Sequence, residues 1–204
     1  MPYIVSRERP AIDRIVDALA RALAKDLTRR NGTTDLSVCY GEAFAAISDA
    51  LRRISAGRPG KVRTPAEKLA LEVFANREKD AAWLGRLNYA VTRLIQSVPK
   101  KMVEGGSRKE EFRYWVYAET VGALTRAAMS AHQAGGGSVA YGLVGVFTDV
   151  KDEYKRRVNS AYEAVQIARS GDCYSTPYRT ELTKVRGAGG RVVGYQEVMK
   201  DFRV

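Results

Sequence analysis

Apolar residues return at helical spacing through most of this chain, and that periodicity constrains its fold more than any other feature. Between about 138 and 170, large apolar side chains recur every three or four positions, which places them on one face of a long helix. Five earlier stretches share the pattern: about 10–30, 38–55, a short stretch after Thr64, 78–98 and 108–133. We therefore predict an all-α helical bundle of five or six helices, with one long C-terminal helix.

Several helix ends are marked by capping and breaking residues. Thr64 and Glu67 have the spacing of a capping box, in which each side chain binds the backbone amide of the other residue. Pro99, with Gly105 and Gly106 after it, is expected to close the fourth helix, because proline removes a hydrogen-bond donor and clashes with the preceding turn. Three glycines at 135–137 are expected to break the chain between the fifth helix and the sixth.

After about residue 174, the helical spacing of apolar residues gives way to a strand-like pattern. Branched and alternating residues flank the loop at 187–190, which predicts a small C-terminal β-hairpin. Because an isolated hairpin is marginal in water, we expect it to pack on the helices or on another subunit. The chain is thus divided into a helical domain at 1–174, in which about 28–80 is a candidate insertion, and a basic tail at 175–204.

The scarcity of histidine and cysteine narrows the possible chemistry. The 204 residues include one histidine, His132, and two distant cysteines, Cys39 and Cys173. Structural zinc sites need three or four ligands at short spacings, so neither a metal nor another cofactor is predicted. We interpret the cysteines as reduced, buried thiols and His132 as a residue near a helix C-terminus, where a positive charge is favoured. No catalytic residue is predicted, and an enzyme is the less favoured class.

The chain has no segment that is long and apolar enough to span a membrane. Its N-terminus lacks the apolar core followed by small residues that is typical of a signal peptide. We therefore expect a cytoplasmic protein without a membrane partner.

Two groups of residues resemble the motifs of a known family. Residues 85–92 read GRLNYAVT and resemble a G-E-L-N-Y-x-[IV]-T signature, while 153–158 read EYKRRV and are followed by Tyr162-Glu163 and Gly171-Asp172. With the opening MPYI, these segments resemble a small family of bacterial, archaeal and phage proteins defined as a domain of unknown function. The chain departs from the pattern at Arg86, where glutamate is expected. The resemblance implies a helical domain and supplies no activity or ligand.

The resemblance, together with the helix faces, singles out a set of polar side chains as candidate ligand-binding residues: Asn88, Tyr89, Tyr154, Arg156, Arg157, Tyr162 and Glu163. Asp172 belongs to the same motifs. One interpretation is an internal network of ion pairs and hydroxyl groups that fixes helix packing. A second is an anion site, in which Arg156 or Arg157 holds a phosphate in fork geometry and a tyrosine stacks on a base. Catalysis by the same residues is the third.

The charge of the chain favours anionic partners. There are 34 Lys and Arg against 23 Asp and Glu, a net charge of +11. The excess is spread over short clusters and forms no basic stripe of the kind a DNA reader shows, although it would attract polyanions at low salt. The tail residues proposed to contact nucleic acid are Arg179, Lys184, Arg186 and Arg191. A second cluster comprises Arg52, Arg53, Arg58, Lys61 and Arg63.

Three hypotheses for function follow from these observations. The first is a non-enzymatic binding protein for a phosphate-bearing ligand, either nucleic acid or a nucleotide, in a phage or mobile-element setting. The second is a structural or assembly protein that forms a homo-oligomer through the long helix, which at 1.5 Å per residue extends about 45–50 Å. The third is a nucleotide-processing enzyme, which would require Glu153, Glu163 and Asp172 to hold magnesium.

Overall fold

The computed structural model describes the backbone at 4, 6–29, 36–74, 82–105, 112–135, 137–170, 179–186, 190 and 192–200. Side chains are described at 4, 6–27, 36–74, 82–105, 115–135, 137–158, 164 and 190. The chain forms two compact units, Met1–Ser160 and Ala161–Val204. The domain boundaries drawn from the sequence, and the insertion at about 28–80, stay predictions.

The all-α prediction is confirmed, with six α-helices in the described part of the chain. After a short 3-10 turn at Ser6–Glu8, the helices are α1 (Arg9–Arg29), α2 (Leu36–Ser55), α3 (Pro65–Phe74), α4 (Trp83–Glu104), α5 (Phe112–Gln133) and α6 (Gly137–Ser170). The last helix has 34 residues and is the longest of the six, as its apolar pattern predicts. His132 lies in the last turn of α5, and Cys39 is buried.

The second unit contains the end of α6 and two strands, β1 (Arg179–Arg186) and β2 (Val192–Lys200). The strands pair antiparallel, from Arg179 opposite Lys200 to Arg186 opposite Val192. Their side chains lie outside the described residues. The expectation that this segment packs on the helices or on another subunit therefore stays a prediction.

The core of the first unit is built from the apolar faces of its helices. Helix α1 packs on α3 and α4, and α2 packs on α3 and α5. On α2, Tyr40 and Phe44 stack with their ring centroids 5.7 Å apart, and Phe44 meets Phe147 of α6 at 5.2 Å. All three side chains are buried. Aromatic pairs at these separations add to the free energy gained by burial alone.

The capping box at the start of α3 is confirmed. The backbone amide of Glu67 donates to Thr64 Oγ1 at 3.2 Å, and the amide of Thr64 donates to Glu67 Oε2 at 3.0 Å. Arg53 also donates to Glu67 Oε1 at 2.8 Å, so the cap ties the end of α2 to the start of α3. Hydrogen bonds to the Glu67 carboxylate from Arg53, from the backbone amide of Arg63 and from the amide of Thr64, in that order, lower the pKa of Glu67 to about 2.

The predicted end of α4 at about 98 is wrong, because the helix continues through Pro99 to Glu104, and Gly105 is its C-cap. A proline within a helix deprives the carbonyl four residues earlier, here that of Ile95, of its usual amide donor. The hydroxyl of Tyr40 donates to the Ile95 carbonyl oxygen at 3.4 Å instead. A side chain from α2 thus supplies the bond that Pro99 cannot, and α4 gains another turn.

Helices α4 and α6 approach closely at Gly142. A Cβ atom at this position would lie 2.7 Å from Leu84 Cδ2 and 2.7 Å from Trp83 Cη2. Trp83 is held from its other side by Phe74, with ring centroids 5.1 Å apart. Glycine is therefore required where the two helices meet, and from this contact a groove runs along both of them.

Candidate functional site

The groove between α4 and α6 brings five of the candidate residues together. It has a volume of about 990 Å³ and includes Asn88, Tyr89, Tyr154, Arg156 and Arg157 in its walls. Residues spaced three or four apart lie on one face of a helix, so 85, 88–89, 92–93 and 96 form the α4 wall. The same spacing from 141–142 to 156–157 forms the α6 wall.

Arg156 and Arg157 share a single carboxylate. Arg156 donates to Glu153 from Nε at 2.8 Å and from Nη2 at 2.9 Å, while Arg157 donates to Glu153 through Nε. The two guanidinium groups, Arg156 first, hold the pKa of Glu153 at about 2. Two positive charges thus face one negative charge, and within the described part of the chain Arg156 Nη1 and both Nη atoms of Arg157 have no partner.

Tyr89 belongs to an ionic cluster between α1 and α4. Its hydroxyl donates to Asp13 at 3.0 Å, and Arg93 Nε donates to the same carboxylate at 3.1 Å. The guanidinium of Arg9 lies 5.7 Å from the centroid of the Tyr89 ring. Burial, followed by the bond to Asp13, raises the pKa of Tyr89. The packing interpretation therefore describes Tyr89 well, because its hydroxyl joins two helices.

Tyr154 is half-buried and has one ring face covered. It stacks on Tyr117 of α5, with ring centroids 5.8 Å apart. Burial raises the pKa of Tyr154, and the nearby hydroxyl of Thr120 opposes that rise. Among the described residues Asn88 makes a local hydrogen bond, since its Oδ1 accepts from Thr92 Oγ1 at 3.4 Å.

Tyr141 is a groove residue that sequence reasoning missed. It lines the groove with 74% of its surface exposed, which is unusual for an aromatic side chain. Its only sequence signal is an aromatic residue that stands off the apolar stripe of α6. An exposed aromatic ring at the edge of a cleft can stack on a planar group of a ligand.

The groove carries charges of both signs. Its walls contain four arginines, Arg9, Arg93, Arg156 and Arg157, and three carboxylates, Asp149, Asp152 and Glu153. Asp152 pairs with Lys151 at 3.5 Å, whereas Asp149 has no ion-pair partner among the described residues. Such a surface suits a ligand that combines an anionic group with hydrogen-bond donors better than it suits a continuous polyanion.

Arg86, where the resembled motif has glutamate, has a structural role. Its side chain is buried and donates to Glu8 from Nε at 2.9 Å and from Nη2 at 3.2 Å. A third bond runs from Nη1 to the carbonyl of Val73 at 3.4 Å. The guanidinium, acting mainly through its hydrogen bonds, lowers the pKa of Glu8. This paired charge joins the chain before α1 to α3 and α4.

The remaining predicted residues are not brought into this site by the described structure. Tyr162 and Glu163 lie on the backbone of α6, and Arg179, Lys184 and Arg186 lie in β1, all with side chains outside the described set. Asp172 and Arg191 fall outside the described residues altogether. Among the side chains that are described, no three His, Cys, Asp or Glu are grouped to hold a metal ion. No described helix is long and apolar enough to cross a membrane.

Comparison with known proteins places the chain in a family. The model of the family described as Domain of unknown function (DUF6899) matches residues 1–135. The chain belongs to this family. The DUF6899 match contains α1 to α5, and with them the α4 wall of the groove, whereas the α6 wall lies beyond it. No curated protein and no solved structure matches the chain.

Proposed function

We propose that the α4–α6 groove binds a small phosphate-bearing ligand of the nucleotide class, and that the protein acts by binding and not by catalysis. The observation that carries this proposal is the shared carboxylate of Glu153. Because one carboxylate faces both Arg156 and Arg157, these three side chains carry one net positive charge, and they lie beside an open groove with N–H groups that have no partner among the described residues. Arginine forks of this kind match the geometry of phosphate oxygens.

The dimensions of the groove suit a nucleotide. Its volume of about 990 Å³ lies at the upper end of the range for small-ligand sites. Asp149 precedes Arg156 by seven residues on the same wall, which is roughly 10 Å along a helix. A phosphate at the arginines would then place a sugar or base within reach of the Asp149 carboxylate, which accepts hydrogen bonds from hydroxyl or amino groups.

The packing interpretation explains Arg156 and Arg157 less well than it explains Tyr89. Both of their ion pairs lie within one helix, and their side chains are 64% and 48% exposed. Exposed pairs of this kind contribute little to stability, about 0–1 kcal/mol. Arginines that are not needed for folding, and that line an open groove, are available to a ligand.

Isothermal titration of the full chain with nucleoside monophosphates tests the proposal. Arg156→Ala is expected to weaken binding about ten- to hundredfold, the usual loss when a charged hydrogen bond is removed. Lys155→Ala is the matched control, because it removes one positive charge from an exposed neighbouring position on α6 that does not line the groove. Equal losses in the two variants, or no binding at millimolar nucleotide, would refute the proposal.

Assembly is a second candidate function, supported by exposed apolar surface on α6. Tyr141 and Val158 are both exposed on this helix. In this alternative the long helix and the C-terminal hairpin form a homo-oligomer. The cytoplasmic location, the phage or mobile-element setting and contacts of the tail with nucleic acid belong to the same set of proposals. Native mass spectrometry of the protein as purified from cells reports the subunit number and any retained nucleotide together. A bare monomer would count against both functions.

A further inference from the structure

The loop between α2 and α3 is a second basic surface, separate from the groove. We call residues 56–64 the basic loop. It carries Arg58, Lys61 and Arg63, all of them exposed. None of the three forms an ion pair with a residue that the structure describes. Three unneutralised cations within six positions make this loop strongly electropositive.

The basic loop has a defined backbone shape. Gly57 and Gly60 have φ values of 72° and 66°, a region that residues with side chains rarely adopt. The amide of Arg58 donates to the Arg53 carbonyl at 2.8 Å, which folds the loop back on the end of α2. Pro59 lies between the two glycines and restricts the chain further. The cations of the basic loop are therefore attached to a backbone of defined conformation.

The end of α2 enlarges the positive surface. Arg52 pairs with Asp49 at 2.9 Å, and Arg53 pairs with Glu67 at 2.8 Å. These four side chains and Thr64 line a hollow of about 520 Å³. The Nε atom of Arg52 is buried there without a described hydrogen-bond partner. With the three loop cations, five positive charges face two carboxylates.

We propose that the basic loop binds the phosphate backbone of nucleic acid, independently of base sequence. Its cations are complementary to a row of phosphates, which supply most of the sequence-independent affinity for such proteins. Residues 56–64 include no aromatic side chain on which bases could stack, so the loop offers positive charge and hydrogen-bond donors to the phosphates. This site is independent of the nucleotide proposed for the groove, because the two surfaces share no residue.

The test is binding of the full chain to a fluorescent 20-nucleotide strand at two salt concentrations. For a single strand, three phosphate contacts give a slope of about −2 in the logarithm of affinity against the logarithm of salt concentration, so raising salt from 50 to 200 mM should weaken binding roughly 20-fold. In the variant Arg58→Ala/Lys61→Ala/Arg63→Ala, affinity at 50 mM salt should fall at least tenfold, and the salt dependence should become shallower. Strands of different sequence should bind alike.

A charge-matched variant is the control. Arg14→Ala/Lys25→Ala/Arg126→Ala removes three exposed cations from α1 and α5 and leaves the basic loop intact. It should change affinity less than twofold. An equal loss in both triple variants would overturn the proposal, because net charge alone would then explain binding.

Two further outcomes would also overturn the proposal. One is a marked preference for a single base sequence. The other is loop-dependent binding to phosphatidylserine vesicles without binding to the strand. Nucleoside monophosphate binding in the groove should be unchanged in the loop variant, so failure of one proposal leaves the other standing.

Discussion

The hydrogen bond from Tyr40 to the Ile95 carbonyl gives a sharp test of how α4 passes through Pro99. In a regular helix, the amide of residue 99 would donate to this carbonyl, and proline has no such amide. The Tyr40 hydroxyl lies 3.4 Å from the oxygen, in a fully buried setting that raises its pKa well above the ordinary value. Replacing Tyr40 by phenylalanine keeps the stacked ring and removes only the donor.

The expected cost of Tyr40→Phe is about 1 kcal/mol. Leaving a buried carbonyl unsatisfied costs roughly 1–3 kcal/mol, and a long bond places this case at the lower end. In a Pro99→Ala background, the new amide of residue 99 restores the helical bond to Ile95. Tyr40→Phe should then cost less than about 0.5 kcal/mol, which gives a coupling free energy near 0.5–1 kcal/mol.

Urea unfolding of the four proteins of this cycle, followed by circular dichroism, measures that coupling. Pro99→Ala alone should be stabilising, by up to about 3 kcal/mol, because alanine favours a helix interior. The reasoning fails if Tyr40→Phe costs the same with proline and with alanine at position 99. The hydroxyl would then act through its neighbours Thr120 and Tyr154, and not through the Ile95 carbonyl.

Three other predictions concern stability. Gly142→Ala should destabilise the fold by about 1 kcal/mol in the same urea assay, since overpacking against Trp83 outweighs the gain in helix propensity. Gly145→Ala is the control: its new Cβ has no atom within 4 Å, so it should stabilise the fold by about 0.5–1 kcal/mol. Glu8→Ala should cost about 2–4 kcal/mol because it removes the carboxylate that accepts two bonds from the buried Arg86 guanidinium, and further replacement of Arg86 by methionine should recover part of this loss in thermal unfolding. Because the pKa of Glu67 is about 2 in the folded protein, below its ordinary value of 4.5, the ionised side chain stabilises the fold fully above pH 4.5, and this stabilisation is lost as pH falls toward 2. The difference in the free energy of unfolding between wild type and Glu67→Gln should therefore shrink as pH falls from 4.5 to 2.

The sequence predicted those parts of the fold that depend on neighbouring residues. The capping box needs only four consecutive residues, and the apolar spacing of α6 repeats within each turn, so both were visible without a structure. Pro99 misled because its local effect is to end a helix, while the compensating bond comes from Tyr40, which lies 55 residues before the Ile95 carbonyl that it reaches. A local rule fails where a distant side chain supplies the missing bond.

In the candidate site, too, the sequence predicted the contacts between residues that are close along the chain and missed the contacts between distant ones. Glu153, Arg156 and Arg157 lie within five positions of one helix, so their association could be inferred from spacing. The acceptor of the Tyr89 hydroxyl, Asp13, is 76 residues away, and no sequence pattern connects the two. Tyr141 was missed for a different reason, because exposure in a groove depends on the position of α4 and leaves no periodic signal.

Two kinds of arginine ion pair in this protein separate stability from binding. Arg86 pairs with Glu8 across 78 positions and is buried, so its loss should affect the whole fold. Arg52 and Arg156 each pair with a carboxylate three residues away on the same helix, and both line a hollow that is open to solvent. A local pair orients the guanidinium at little cost in free energy and contributes little to folding. Variants at these two positions should therefore remain folded, and a loss of ligand binding in them can be assigned to the site itself.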